Sequence, residues 1–202
     1  PYIFANNTFI ASGVTLTIEK GTIVKFSGNY YLKAIGNLQA VGVSTAPVIF
    51  TSFKDDTVGG DTNNDGTTSS PAAGDWNKIW FYGTGGNSSI LDNCIIRYGG
   101  GTDGMGLVLV EGTSATTATI PTIIQSTITY SSAAGITLYI YNSSYLLDPV
   151  ISSNTISNNN SYAILLYPNI YPSLTTNIYT GNTTNATGLN NSGTYNTVNK
   201  LK

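Results

Sequence analysis

The sequence contains no histidine, and this absence restricts its chemistry more than any other feature of its composition. Histidine is the commonest general base in enzymes, so Ser-His-Asp and Cys-His catalytic sites are excluded. Charged residues are also scarce, at 9% of the 202 residues against about 25% in ordinary globular proteins. The net charge is −2 and Lys plus Arg number only 8, which argues against binding to nucleic acid or to an anionic membrane surface.

Cysteine and long apolar runs are nearly absent too. The single cysteine, Cys94, excludes an internal disulfide, and because it lies in the apolar run 90–96 we expect a buried small side chain. No apolar run approaches the roughly 18 residues that a membrane-spanning helix needs, so we expect no membrane insertion. No window of helical periodicity is long enough to predict a helix.

What the sequence has instead is a series of short segments rich in Val, Ile and Thr and bounded by Gly, Asn or Ser. Residues 14–18, 22–26 and 47–50 are examples. Such segments are typical of β-strands, and β folds of about 200 residues are often single domains. We therefore expect one all-β domain over residues 1–202.

One segment of the chain occurs twice. Residues 121–136 recur as 149–164, and each copy has a proline, an apolar pair, Ser-Thr-Ile or Asn-Thr-Ile, and a polar turn before an isoleucine. Self-similarity at a spacing of about 20 to 50 residues predicts a stacked repeat architecture. Weaker copies precede and follow this pair. Aligning them makes four isoleucines equivalent, namely Ile95, Ile128, Ile156 and Ile178.

Several segments together resemble a known family. Residues 13–26, 36–42, 46–52, 74–81 and 93–100 resemble the right-handed parallel β-helix repeat, a pectate-lyase-like solenoid, of secreted microbial cell-surface proteins. The resemblance implies a single-stranded right-handed parallel β-helix of about seven to eight irregular coils, with an Asp/Gly-rich loop inserted at about residues 54–75. We expect Ile to stack over Ile inside it, and Asn or Thr over its equivalent at the turns. This solenoid hosts lyases, adhesins and structural fibres, so the fold alone does not give the function.

The inserted loop carries a candidate metal site. In the run 61–66, oxygen ligands stand at positions one, three and five and glycine at six, the spacing by which a tight loop wraps Ca²⁺. The glutamate expected at position twelve is missing, and other aspartates would have to complete the shell. The alternative is an Asx-rich solvated loop without metal. The candidate ligands of this structural Ca²⁺ are Asp55, Asp56, Asp61, Asn63, Asp65 and Asp75.

The aromatic residues after the loop form a candidate glycan-binding site. Strand alternation puts Trp80 and Tyr82 on one face, with Ile79 and Phe81 on the other. Outward aromatic rings stack on sugars, so Trp76, Trp80 and Tyr82 are the candidates. The alternative is that the long loop folds back and covers them.

The N-terminal segment indicates a partner. Natural solenoids cover the open strand edges at their ends with caps, and neither terminus has the sequence of a cap. The segment 1–10 is apolar and strand-like, and we expect it to contact a neighbouring subunit through Pro1, Tyr2, Ile3, Phe4, Phe9 and Ile10.

The leading hypothesis is therefore a non-enzymatic, extracellular structural protein whose subunits associate head to tail into a surface filament. An adhesin or carbohydrate-binding module is the alternative. A polysaccharide lyase is third, because Arg97, the one arginine, is followed by a turn-like Tyr-Gly-Gly. A glycosidase needs a pair of carboxyl groups, and nothing in the sequence selects such a pair.

Overall fold

The computed structural model describes residues 1–113, 120–140, 147–168 and 170–190, and the structural statements below concern these residues. Three parallel sheets, two of seven strands and one of six, account for nearly all of the regular structure. Each of the first six circuits of the chain adds one strand to each sheet in a fixed order, and the seventh adds one to each of the two larger sheets, which is the winding of a parallel β-helix with seven coils. The all-β parallel β-helix expected from the sequence is confirmed.

The three sheets are named A, B and C in the order in which each coil visits them. Sheet A contains β1 (Tyr2–Phe4), β4 (Ile23–Phe26), β7 (Val48–Ser52), β10 (Cys94–Arg97), β13 (Thr127–Thr129), β16 (Thr155–Ser157) and β19 (Ile178–Thr180). Sheet B contains β2 (Thr8–Ile10), β5 (Leu32–Ala34), β8 (Ile79–Tyr82), β11 (Val108–Gly112), β14 (Ile136–Ile140), β17 (Tyr162–Leu166) and β20 (Thr184–Leu189). Sheet C contains β3 (Thr15–Glu19), β6 (Asn37–Val41), β9 (Ile90–Asp92), β12 (Thr122–Ile124), β15 (Val150–Ser152) and β18 (Ser173–Thr175). A short 3₁₀ helix, Gly83–Ser88, lies between β8 and β9.

The duplicated segment occupies two neighbouring coils. Thr127 pairs with Thr155 on sheet A, and Ile136 pairs with Ile164 on sheet B. The internal repeat read from the sequence is thus one circuit of the solenoid, as expected. Because each coil is only a few strands wide, its inner face can be buried only against the coils on either side.

The predicted isoleucine ladder was wrong at both ends. The inward stack on sheet A joins Ile128 to Ile156, but it continues to Ile96 and Tyr179 rather than to Ile95 and Ile178. A slip of one residue moves a side chain to the opposite face of a strand. Ile95 and Ile178 therefore face outward, and Ile178 is 61% exposed.

The core fills the interior of the coil stack. Side chains alternate between inside and outside along most strands, and in the coils between the two ends the inward ones are almost completely buried. Cys94 belongs to this core, which confirms the expected small buried side chain, and burial raises the pKa of its thiol to about 12. In the described part of the chain, no helix has both the length and the apolar character that crossing a membrane would require.

Sharp turns connect sheet C to sheet A. In four successive coils a single non-glycine residue takes the left-handed conformation there, with φ between 49° and 59°: Asn93, Gln125, Ser153 and Thr176. One residue in this conformation bends the chain from sheet C into sheet A without a longer loop. Only Asn among these four adopts it readily, so the other three positions are strained.

Asparagine side chains, most of them buried, satisfy the backbone beside the turns. The side chain of Asn154 accepts a hydrogen bond from the amide of Ser126 at 2.9 Å, and the side chain of Asn177 accepts one from the amide of Asn154 at 3.0 Å. Asn159 and Asn182 repeat the arrangement after sheet A. The expected stacking of Asn over Asn is confirmed, and it pairs backbone groups that burial would otherwise leave without partners.

The longest connection is the segment 53–78 between β7 and β8, here called the insertion. It packs over the outer face of sheet A and covers Lys25, which points outward from β4 and is fully buried. Its glycine at position 59 lies against Pro1 and Ile23, so the insertion also reaches the first coil. The insertion thus fixes a group of acidic side chains at one place on the solenoid wall.

Candidate functional site

The insertion brings three of its aspartates together. Asp56, Asp61 and Asp65 each offer a carboxylate oxygen, and these oxygens lie within 4.8 Å of one another. A tight turn sets this geometry, because the Asp61 carboxylate accepts hydrogen bonds from the backbone amides of Asp65 at 3.2 Å and of Gly66 at 2.9 Å. Gly66 has φ of 68°, which glycine adopts without strain. We call these three aspartates the acidic cluster.

Several oxygens at the acidic cluster have no donor. Oδ1 of Asp56, Oδ1 of Asn63 and Oδ1 of Asp65 are buried and accept no hydrogen bond within the described part of the chain. The amide group of Asn63 donates to the second oxygen of Asp65 at 2.8 Å, which fixes the orientation of both side chains. Buried acceptors without partners are costly, and a bound cation is one way to satisfy them.

Lys25 lies beside the acidic cluster. Its ammonium group donates to the carbonyl of Gly60 at 2.8 Å and to the hydroxyl of Thr62 at 2.6 Å. Burial lowers the pKa of Lys25, and the carboxylates of three aspartates, Asp55, Asp56 and Asp61, offset part of that shift. Both hydrogen bonds of Lys25 go to uncharged oxygens, so Lys25 forms no ion pair with the three carboxylates of the acidic cluster. Carboxylate oxygens of this kind are the ligands that a hard divalent cation such as Ca²⁺ prefers.

Two of the predicted ligands lie elsewhere. Asp55 is completely buried and accepts hydrogen bonds from Thr51, from Thr57 at 2.6 Å and from the Arg97 guanidinium, whose Nη2 lies 2.6 Å from Oδ2. Burial alone would raise the pKa of Asp55, but these donors together hold it below its ordinary value. Both oxygens accept hydrogen bonds, so Asp55 anchors the insertion to β10 and lies outside the acidic cluster.

Asp75 anchors the other end of the insertion. Its carboxylate accepts a hydrogen bond from Ser52 at 2.7 Å, the backbone amide of Ala72 at 2.9 Å and the ammonium of Lys54 at 2.9 Å. The structure therefore does not bring Asp75 to the acidic cluster. Of the six predicted ligands, four remain, and they are Asp56, Asp61, Asn63 and Asp65.

A row of aromatic rings crosses the outer face of sheet B. Phe9 meets Tyr31 edge to face at 5.6 Å between centroids, Tyr31 meets Trp80 at 5.5 Å, and Trp80 meets Tyr82 at 5.5 Å. Strand register places Phe9, Lys33 and Trp80 side by side on three successive coils. We call the four rings the aromatic strip. As predicted, Trp80 and Tyr82 share the outer face while Ile79 and Phe81 are buried inside.

Charged side chains of both signs surround the strip. The ammonium of Lys33 lies 3.5 Å from the centroid of the Trp80 ring and 3.5 Å from that of Tyr82. Burial lowers the pKa of Lys33, with Glu111 opposing the shift. Burial also raises the pKa of Glu111, which Lys33 partly offsets. Next to them, Lys78 is buried and forms an ion pair with Asp103.

Trp76 does not belong to this surface. It is completely buried, stacks on Phe26 in the core, and donates its indole N–H to the carbonyl of Arg97 at 2.8 Å. The prediction of Trp76 as a glycan-binding residue is therefore wrong, since no ring face is available to a ligand. Trp76 is buried in the core of the solenoid and not beneath the inserted loop, so the alternative of a covering loop does not describe it either.

The first coil presents an open edge. No described strand pairs with β1, β2 or β3 on the side away from the second coil. Tyr2 and Phe4 stand in register with the inward residues Val24 and Phe26, yet Tyr2 is 69% exposed. Of the other predicted contact residues, Ile10 is buried, Ile3 is outward on sheet A, and Phe9 is outward on the aromatic strip. Pro1 lies against the insertion.

Sequence reasoning missed Lys33 and Glu111. They lie 78 positions apart, and only the coil register brings both beside Trp80 and Tyr82.

Comparisons with protein-family models, with curated proteins and with solved structures found no match to this chain.

Proposed function

We propose that this chain is a non-enzymatic structural protein of the cell exterior, whose β-helical subunits associate head to tail into a surface filament. The observation that supports this is the open edge of the first coil, where three adjacent strands have unpaired sides and Tyr2 is mostly exposed. An unpaired strand edge next to apolar side chains is a template for β-strand addition. Membership in the pectate-lyase-like group of secreted microbial surface proteins is part of the same proposal.

The other end of the described stack is suited to the contact. It consists of β18, β19 and β20, and the inward side chains Leu174 and Tyr179 pack against the core there. In a head-to-tail contact, β1 and β3 of one subunit would continue the sheets that end with β19 and β18 of the next. The inner apolar stack would continue with them, placing Tyr2 and Leu16 near Tyr179 and Leu174. A contact of this kind that does not close into a ring gives an open filament.

The test is a charge placed at the open edge. Tyr2→Lys should leave the coil folded, since this side chain is mostly exposed, but it should remove head-to-tail association. Val41→Lys is the matched control, because Val41 is 41% exposed on the side wall of sheet C. Sedimentation velocity and negative-stain microscopy of the three proteins give the readout. Monomeric wild-type protein at all concentrations, or filaments that persist in Tyr2→Lys, would contradict the proposal.

We also propose that the acidic cluster binds a structural Ca²⁺. Asp56, Asp61 and Asp65 would hold the ion with Asn63, and the ion would satisfy the buried oxygens that lack donors. Its role would be to fix the insertion against sheet A. A ligand present at about 100 times its Kd stabilises the folded state by about 2.7 kcal/mol, which corresponds to about 5 to 10 °C in Tm for a chain of this size.

Thermal unfolding with Ca²⁺, with Mg²⁺ and with a chelator tests this metal site. Asp65→Asn should abolish the Ca²⁺-dependent rise in Tm, while Asp148→Asn, at an exposed aspartate outside the insertion, should retain it. An unchanged Tm in saturating Ca²⁺ would remove the site from the proposal without affecting the filament.

A carbohydrate-binding or adhesive role is the second candidate, and the aromatic strip favours it. Rings on an outer β-helix face stack on the apolar faces of sugars, and Phe9 is 55% exposed there. Depletion of the protein from solution by insoluble polysaccharides tests this role. Loss of that depletion in Phe9→Ala would support it, and absence of binding to every polymer would exclude it. We propose no polysaccharide lyase activity, which an assay for unsaturated uronates checks.

A further inference from the structure

Besides the aromatic strip, the outer face of sheet B carries two charged side chains, Lys33 and Glu111. Lys33, half-buried, sends its ammonium between the rings of Trp80 and Tyr82, where its charge is stabilised by both aromatic faces. In the described part of the chain this ammonium donates no hydrogen bond and forms no ion pair within 4.0 Å. Its N–H groups therefore remain for the oxygen atoms of a ligand.

The remaining rings have a different role from Trp80 and Tyr82. Because Lys33 covers one face of Trp80 and of Tyr82, the most open ring of the strip is Phe9, which is 55% exposed, and Tyr31 lies half-buried beside it. Phe9 lies on the first coil, Lys33 on the second and Trp80 on the third. Neighbouring strands are about 4.8 Å apart, close to the length of one sugar residue in an extended chain. The groups are thus spaced to contact successive sugars along the helix axis.

The charge of this face decides which sugars it fits. Two ammonium groups, Lys33 and Lys78, are balanced by two carboxyl groups, Asp103 and Glu111, so the formal charge of the group is zero. An acidic polymer would be attracted by the lysines and repelled by the carboxylates. Neutral sugars bear hydroxyl groups, which accept from an ammonium and donate to a carboxylate equally well.

From these observations we infer that the aromatic strip, together with Lys33 and Glu111, binds a neutral polysaccharide whose chain runs along the helix axis. This inference rests on the carbohydrate-binding role proposed above and adds the class of polymer, its direction and its polar contacts. Phe9 and Tyr31 contact the apolar faces of the sugars. Lys33 donates to their hydroxyl or ring oxygens, and Glu111 accepts from their hydroxyl groups. Trp80 and Tyr82 are positioning residues, because they hold the Lys33 ammonium in place.

Depletion assays with defined polymers test the inference. The neutral probes are cellulose, xylan and a β-1,3-glucan, and the acidic probes are polygalacturonate and alginate. We expect binding to at least one neutral polymer, with an affinity that does not change between low and high salt. Lys33→Met keeps the length of the side chain but removes its N–H groups, and should weaken binding about tenfold. Phe9→Ala should weaken it similarly.

Tyr130→Ala is the control, because Tyr130 is 43% exposed at a turn on sheet A and lies outside the strip. It should bind like the wild type, and circular dichroism shows whether all variants are folded. Salt-sensitive binding to acidic polymers alone would overturn the inference while leaving the carbohydrate-binding role intact. Unchanged affinity in folded Lys33→Met would also overturn it. Binding to no polymer would overturn both.

Discussion

The indole ring of Trp76 lies parallel to the phenyl ring of Phe26, with 4.1 Å between the centroids and 1° between the planes. Phe26 in turn meets Phe4 edge to face at 5.3 Å, so three coils share one aromatic stack. The chain returns from the insertion at Trp76, and its indole N–H is satisfied by the carbonyl of Arg97. This one residue therefore joins the end of the insertion to the core of the solenoid.

Truncating this ring should be severe. Trp76→Ala removes a completely buried side chain and leaves the Arg97 carbonyl without its donor, so we expect a loss of about 3 to 5 kcal/mol in the free energy of unfolding. Tyr130→Ala, at an exposed ring, should lose less than about 1 kcal/mol. Urea unfolding at constant pH measures both. Equal losses would mean that the stack with Phe26 adds no stability.

The link between Asp55 and Arg97 should make stability depend on pH. The folded-state pKa of Asp55 lies below its ordinary value of 3.8, so the contribution of its charged form is present above that value. It is lost as the pH falls through the folded-state pKa, where the carboxylate becomes protonated. We therefore expect wild-type stability, measured by urea unfolding, to fall as the pH is lowered below about 4.

Replacing the arginine tests this contribution. Arg97→Met leaves a buried carboxylate with only its two threonine donors, Thr51 and Thr57, and should cost about 3 kcal/mol at neutral pH. Its stability should fall less than that of the wild type on acidification. Lys54→Met breaks the more exposed pair with Asp75 and should cost at most about 1 kcal/mol. Parallel pH profiles for the wild type and Arg97→Met would rule out Asp55 as the titrating group.

How far the sequence predicts this structure depends on whether its pattern is periodic. Alternation along β8 correctly placed Trp80 outside, and the repeat correctly aligned Ile128 with Ile156. The same reasoning failed for Ile95, because two adjacent isoleucines leave the register ambiguous by one residue. It also failed for Trp76, which ends a long aperiodic segment where no pattern distinguishes a buried ring from an exposed one.

In the candidate sites, contacts within one loop were predictable from the sequence and contacts between coils were not. Local spacing was sufficient for the turn at Asp61, Asn63 and Asp65, because a tight loop is determined by its own residues. Arg97, the charged partner of Asp55, and the aromatic partners of Lys33 come from other coils. Predicting those contacts requires knowing where every intervening strand and loop begins and ends, and the sequence pattern does not define these boundaries.

The asparagine ladder gives a prediction with an adjacent control. Asn159 accepts from the amide of Ser131 at 2.9 Å and donates to the carbonyl of Ile128 at 3.3 Å, both in the coil before it. Asn159→Ala would leave these buried groups without partners, which should cost about 2 to 4 kcal/mol. Asn160→Ala, one position further along and exposed, should cost less than about 0.5 kcal/mol. Urea unfolding of the pair measures the difference, and similar values would mean that the ladder is not stabilising.

The left-handed turns give a prediction of opposite sign. Gln125 has φ of 51°, a conformation that costs a residue with a β-carbon about 1 to 2 kcal/mol. Glycine avoids that cost but loses about 0.5 to 1 kcal/mol in chain entropy, so Gln125→Gly should stabilise the protein by about 0.5 kcal/mol. Thr17→Gly, at an exposed position within β3, loses chain entropy in the same way but removes no backbone strain. It should therefore destabilise the protein by about 1 kcal/mol. Thermal and urea unfolding of both variants give the signs. If both substitutions destabilise the protein to the same extent, the turn at Gln125 is not strained. Backbone strain would then not explain why asparagine, Asn93, stands at the equivalent position of the preceding coil.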